Sequence, residues 1–153
     1  MTSAPDLSIR PLDLRDREAW LSLWRGYQAF YEVDLSAATE TAFARMLEPG
    51  EPTHGALAWQ GDTAVGLVHF IAHRTNWSVS DACYLQDLFV APGVRSGGVG
   101  RALIAHVYGI AAERGWSEVH WLTHETNAAA RRLYDTMADC SGFIDYSWVP
   151  GRD

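Results

Sequence analysis

The sequence predicts an α/β (α+β) domain in which one sheet carries helices on its faces. Three observations point there. Apolar residues make up 48% of the 153, enough for one core. Segments of period two alternate with segments of period 3.6, in the order β-α-α-β-β-β-α-β-α-β. Residues 83–107 join an apolar run of strand length, a glycine-rich turn and an apolar-periodic helix with no spacer. No repeat, low-complexity tract or dividing linker interrupts the chain, so residues 1–153 read as a single domain.

Residues 7–12 alternate as a first strand, with Leu7 and Ile9 on one face. Asp13 or Asp16 can cap the helix that follows. That helix covers about residues 17–31, because Trp20, Leu23, Trp24, Tyr27 and Tyr31 recur at i, i+3 and i+4 spacing. Residues 33–36 break it. A second helix spans about 40–47 and turns Phe43, Met46 and Leu47 inward. Pro49-Gly50-Glu51-Pro52 is a loop. Two strands, 54–60 and 64–73, are joined by Gly61-Asp62 as a hairpin turn. A polar bend at 75–78 leads into the central strand, which Pro92 stops because proline cannot donate to a ladder. Val99, Leu103, Ile104, Val107, Ile110 and Ala111 mark the next helix, and Gly115 ends it. Residues 118–124 form a strand, Thr126 or Asn127 caps a helix through 128–134, and residues 142–148 form a final strand.

Composition narrows the function. The formal net charge of −7 argues against bulk nucleic-acid binding. An acidic chain can favour a cationic substrate, but charge alone is better explained by simple solubility. No apolar run is long enough to span a membrane, and residues 1–6 lack the basic and apolar parts of a signal peptide. Cys83 and Cys140 stand apart without metal-ligand spacing, so no metal site is expected and a reducing cytoplasmic location is. Seven tryptophans are many for this length, so some should line a pocket or an interface.

The chemistry concentrates in Arg95-Ser96-Gly97-Gly98-Val99-Gly100-Arg101. A glycine-rich turn that opens a helix presents unpaired backbone N–H groups and the positive end of the helix dipole, a ready diphosphate site. The dinucleotide fingerprint is absent, since Arg101-Ala102-Leu103 follows Gly100 where a third glycine is required. A P-loop is excluded because the chain contains no lysine. That lack also leaves the chain no side-chain amine.

What fits is Arg-x-x-Gly-x-Gly at Arg95, Gly98 and Gly100, placed after Leu88-Phe89-Val90-Ala91-Pro92. This resembles the coenzyme A pyrophosphate loop of the GNAT superfamily of N-acetyltransferases. Tyr84-Leu85-Gln86-Asp87-Leu88-Phe89-Val90, Trp121-Leu122-Thr123 with Asn127 and Tyr134, and Tyr27-Gln28-Ala29-Phe30-Tyr31 resemble its polyamine- and histone-acetylating branch. The element order matches that fold over nearly the whole chain. The resemblance implies a mixed central sheet of about six to seven strands flanked by about four helices, and acetyl-CoA as cofactor.

It also implies roles. Arg95, Ser96, Gly97, Gly98, Val99, Gly100 and Arg101 would hold the pyrophosphate. Leu88, Phe89 and Val90 would pair by backbone with the pantetheine arm, the Leu88 N–H polarising the thioester carbonyl. Asn127 would bond the pantetheine amide, or only cap its helix. Arg131 would reach a phosphate, or lie exposed on its helix. Tyr134 would protonate the leaving thiolate, or pack beside Leu133. Ser96 departs from the usual glycine.

An alkyl ammonium near pKa ~10.4 must lose a proton before it attacks. The branch offers Glu where this chain has Gln86, which cannot accept a proton at neutral pH. Asp87 and Glu125 are then the carboxylates that could orient the amine or pass its proton through water. His124 and His120 share a strand face; His124 is a candidate base, or a surface or packed histidine. His69 and His73 lack metal-ligand context. Trp24, Tyr27 and Tyr31, on one helix face, either pack the core or form a cation–π wall for the amine; Gln86 and Asp87 complete that candidate acceptor site. The expected function is acetyl transfer to a small cationic or polyamine-like primary amine, by direct attack in a ternary complex. The alternatives are a protein or peptide acceptor, and a non-catalytic coenzyme A sensor. A homodimer joined through residues 143–149 is expected, against an internal packing role for the same segment.

Overall fold

The structure is a computed structural model and describes residues 6–94 and 98–152. It divides into two compact units, one up to Leu122 and one from Thr123 onward.

The first unit is a five-stranded sheet with helices on both faces. Strands β1 (Leu7–Pro11), β2 (Thr53–Gln60), β3 (Thr63–His73) and β4 (Ala82–Val90) pair antiparallel in sequence order, and β5 (Val119–His120) joins β4 in parallel. Helices α1 (Arg17–Tyr31) and α2 (Ser36–Leu47) follow β1, and α3 (Val99–Arg114) follows β4. The sheet is mixed, as expected, with five strands rather than six or seven.

Local chemistry sets the helix ends. Asp13 accepts from the Arg15 N–H and Asp16 accepts from the Asp13 N–H, a reciprocal box around a short 3₁₀ turn before α1. Glu32 closes α1 in the left-handed region at φ 54°. Gln28 holds the turn beyond it, its Oε1 accepting from the Leu35 N–H at 2.7 Å. The second helix starts at Ser36, one turn earlier than the apolar spacing suggested, where Asp34 accepts from the Ser36 N–H and hydroxyl.

The apolar stripe of α1 packs onto one sheet face, where Trp20, Leu23, Trp24 and Phe43 meet Leu57, Trp59, Leu67 and Phe89. Each such side chain, when fully buried, contributes about 1.5–3 kcal/mol. Val99, Leu103, Ile104, Val107 and Ala111 of α3 are buried, and α3 covers the opposite sheet face. Gly66 makes that approach close: a Cβ there would meet Leu103 Cδ1 and Val99 Cγ1 at 3.0 Å and the Phe89 carbonyl at 3.1 Å.

One irregularity in β4 positions the candidate site. His69 pairs with Asp87 and Phe70 pairs with Leu85, so Gln86 is an extra residue on β4. Gly66, Val68 and Phe70, with their partners Val90, Leu88 and Leu85, lie on the α3 side. Leu67 and His69, with Phe89 and Asp87, lie on the α1 side. The bulge lets Leu85 and Leu88 share a face three residues apart.

The second unit holds α4 (Ala128–Tyr134), capped by Asn127, whose side chain accepts from the Ala130 N–H at 3.4 Å. Residues 142–148 form no strand, which corrects the expectation from their alternating apolar pattern. Phe143, Ile144, Tyr146 and Trp148 there are exposed. A strand requires a ladder neighbour, and none among the described residues pairs with this segment. The strand expected over 118–124 is reduced to Val119–His120, because pairing with β4 ends at Tyr84 opposite His120.

Candidate active site

Two features of the first unit suit a coenzyme bearing a diphosphate. Gly98 precedes α3 at φ 70°, a left-handed conformation that a side chain would strain, while a Cβ there would meet nothing within 4 Å. The need for glycine at this position is therefore conformational rather than a matter of space. The first helical hydrogen bond runs from the Ala102 N–H to the Gly98 carbonyl, so the amides of Val99, Gly100 and Arg101 precede the helical ladder. Arg101 is exposed on that first turn. Arg95, Ser96 and Gly97 lie outside the described residues.

The second feature is the divergence of β4 and β5. They pair only at Cys83 with Val119 and Tyr84 with His120. Beyond that, the outer edge of β4 from Leu85 through Leu88, Phe89 and Val90 has no strand neighbour among the described residues. Backbone groups on such an edge are available to an extended ligand arm. At the closed end of the divergence, Tyr84 stacks on His120 with ring centroids 5.2 Å apart, and His120 Nε2 lies 2.8 Å from His73 Nε2. Burial, and then the neighbouring His73, push the His120 pKa below the usual histidine value.

On the α1 side, a row of rings approaches the bulge. Trp20 stacks near Trp24, Trp24 on Tyr27 at 4.8 Å, and Tyr27 contacts Tyr31 at 4.7 Å. The row grades from Trp20 and Trp24, buried in the core, to Tyr31 at 39% exposure. Trp24 Nε1 donates to Thr39 Oγ1. The Tyr27 hydroxyl donates to Asp87 Oδ1 at 2.7 Å. Burial, and then Asp87, raise the Tyr27 pKa far above the usual phenol value, and the same two causes raise that of Tyr31. Both phenols stay protonated at every physiological pH.

Asp87 is therefore buried yet placed at the end of the aromatic row, while the bulged Gln86 beside it is exposed. The other oxygen, Asp87 Oδ2, lies 2.9 Å from His69 Nδ1, and His69 Nε2 receives the Trp20 indole N–H at 2.9 Å. Reading the sequence missed Trp20 and His69 as site residues. The available signal was a histidine inside the apolar run of β3, but only the register and the bulge show that it faces Asp87.

In the second unit, Arg131 Nη1 donates to the Glu125 carbonyl at 2.8 Å, and Glu125 is exposed. Tyr134 is half-buried on α4. Among the described residues no group of three or more His, Cys, Asp or Glu gathers to hold a metal, and no helix is long and apolar enough to cross a membrane.

Comparison with known proteins agrees with this geometry. Residues 19–138 match the model of the acetyltransferase (GNAT) family, so the chain belongs to that family. It is 38% identical over 133 residues to a D-amino-acid N-acetyltransferase of Saccharomyces cerevisiae, covering 85% of this chain and 83% of that protein. A thialysine N-epsilon-acetyltransferase of Caenorhabditis elegans is 29% identical over 84 residues, 55% of this chain and 52% of that one. A solved aminoglycoside N-acetyltransferase in complex with CoA shares the fold at a TM-score of 0.73 and 18% identity, covering 93% of this chain and 98% of that one. The protein is an acyltransferase that uses acetyl-CoA for N-acetylation.

Proposed function

We propose that the acceptor is a small primary amine, cationic in solution, that docks its ammonium group at Asp87 beside Tyr27 and Tyr31. The observation that carries this is the state of Asp87. It is 8% exposed, and the one basic side chain beside it among the described residues is the His69 imidazole; no arginine there pairs with it. A buried carboxylate without a counter-cation is costly. An alkyl ammonium at the mouth of the site supplies the missing charge, and the exposed rings of Tyr31 and Phe30 give its carbon skeleton a wall.

Bound acetyl-CoA supplies the acetyl group as an activated thioester. The amides opening α3, with Arg101 and residues 95–97, would hold its pyrophosphate. The free edge at Leu88, Phe89 and Val90 would hold its pantetheine arm, with Asn127 and Arg131 as further contacts. Asn127 Oδ1 is used in capping, which leaves its two N–H donors for that contact. Asp87 would orient the amine and take its proton, directly or through water, Glu125 being the second carboxylate in reserve. The amine nitrogen would bond to the acetyl carbon in a ternary complex as the carbon–sulfur bond breaks, and the Tyr134 hydroxyl would protonate the departing thiolate.

The yeast relative directs the first test to free amino acids, whose amines are cationic and primary, and the nematode relative adds thialysine. Thiol release from acetyl-CoA should be measured with D- and L-amino acids, thialysine, spermidine and short peptides. Turnover of one of the small amines, with Asp87→Asn raising its KM and not that of acetyl-CoA, is the expected result. Turnover of peptides alone would overturn the reading, as would tight acetyl-CoA binding without transfer. A cytoplasmic location and a homodimer through residues 143–149 belong to the same proposal, supported by the two free thiols and by the exposed Phe143, Ile144, Tyr146 and Trp148. Sedimentation of the protein and of a Tyr146→Ser, Trp148→Ser double variant tests the dimer.

A further inference from the structure

We infer that His69 is a positioning residue: with its Nε2 occupied by the Trp20 indole N–H, it turns an Nδ1–H donor onto Asp87 Oδ2 and aims that carboxyl group at the acceptor amine. The inference rests on the reading of Asp87 as the ammonium partner. It follows from counting donors and acceptors along one chain of contacts.

An indole Nε1 can only donate. Its partner at 2.9 Å, His69 Nε2, must therefore be the accepting nitrogen and carries no proton. The ring proton then sits on Nδ1, which lies 2.9 Å from Asp87 Oδ2. The carboxylate must accept there. The reverse arrangement, a protonated Asp87 donating to Nδ1, would put the ring proton on Nε2, head to head with the indole N–H. An imidazolium would create the same collision. Trp20 is 1% exposed and sits in the core against Phe43, so it cannot turn away at low cost.

The contact between His69 and Asp87 is thus a neutral donor on an anion rather than an ion pair. Asp87 Oδ1 accepts from a second neutral donor, the Tyr27 hydroxyl. Two fixed donors orient the carboxylate without cancelling its charge, and each oxygen keeps a lone pair for a third. Among the described residues, the titratable groups that act on this carboxylate or on its partner Tyr27 are phenols and one imidazole: Tyr27 and Tyr31 from α1, His69 from β3, and Tyr84 from β4, which acts on Tyr27. Trp24 from α1 and Gly55 from β2 complete the walls around His69 and carry no charge.

Histidine-labelled full-length protein gives the direct test. Its ¹⁵N spectrum should show His69 with a protonated Nδ1 and a bare Nε2. An Nε2–H tautomer would overturn the inference without any appeal to activity. Kinetics add a second test with thialysine and D-alanine as acceptors. His69→Leu removes the donor and should raise the amine KM on the order of ten- to a hundred-fold, with the KM for acetyl-CoA unchanged. His69→Asn returns an N–H near the former Nδ1 and should recover most of the loss.

Trp20→Phe keeps a ring in the core but frees Nε2. The ring is then no longer held to one tautomer, and its Nδ1–H need not face Asp87. The ¹⁵N spectrum of this variant should show both tautomers, and its amine KM should rise. If Asp87→Asn raises the amine KM but His69→Leu and Trp20→Phe leave it unchanged, the site reading stands and the role of His69 falls. If Asp87→Asn has no effect, it is the site reading that fails.

Discussion

Tyr27 and Asp87 lie 60 residues apart in the chain and 2.7 Å apart in the fold, the phenol donating to carboxylate Oδ1. The phenol pKa is raised by burial and by the carboxylate, so the donor keeps its proton well into the alkaline range. A hydrogen bond to a charged group contributes about 1.5–3 kcal/mol. Tyr27→Phe keeps the ring stack on Trp24 and removes only the donor. We expect the amine KM to rise about tenfold or more by that figure, with little change for acetyl-CoA. Equal changes in both would assign Tyr27 to general packing.

How much of this site could be read in the sequence depends on which contacts are local. The helix over residues 17–31 and the stop at Gly115 follow from spacing and from one glycine, and both stand as expected. The aromatic face of α1 was visible for the same reason. The union of Tyr27, Asp87 and His69 was not, because it depends on register between strands and on a single spare residue. Without the bulge at Gln86, every side chain of β4 beyond it would change faces. The final strand over 142–148 failed for a related reason. Alternation shows that a segment could pair, but not that a neighbour exists. Arg95, Ser96 and Gly97, part of the strongest signal in the sequence, lie outside the described residues, so of that motif the structure describes Gly98 and the opening of α3.

Gly98 gives a prediction that separates backbone conformation from contact. An alanine at φ 70° costs about 1–2 kcal/mol in left-handed strain, although its Cβ has open space. Gly98→Ala should lower the thermal midpoint modestly and weaken CoA binding in calorimetry, because the amides opening α3 turn away from the phosphates. An acceptor KM that changes more than CoA affinity would separate Gly98 from the coenzyme.

The two cysteines should react very differently. Cys140 is exposed and Cys83 is fully buried. Burial pushes the Cys83 thiol up to about 11, so at pH 8 only about a thousandth of it would be the reactive thiolate even if reached. A disulfide reagent should titrate one thiol quickly in the native protein and the second only in denaturant. Cys140→Ser should abolish the fast phase. Two fast thiols would show that the β4–β5 pairing at Cys83 opens readily.

Acid stability follows from three histidines. His54, His106 and His120 all have pKa values below the usual 6.5, chiefly through burial, helped by Arg114 at His54 and by His73 at His120. Above pH 6.5 these rings are neutral whether the chain is folded or not, and they impose no penalty. As pH falls below 6.5 the unfolded chain takes up protons that the folded one refuses, so stability declines until the lowered folded values are reached. The carboxylates of Asp13 and Asp34 do not interfere, since hydrogen bonds from Arg15 and Ser36 hold them below the usual 3.8 and their contribution is lost only at lower pH. The urea midpoint should therefore fall between pH 7 and pH 5. His106→Gln, which cannot titrate, should flatten part of that decline. A midpoint constant across this range would show that these rings are protonated in the fold as readily as in water.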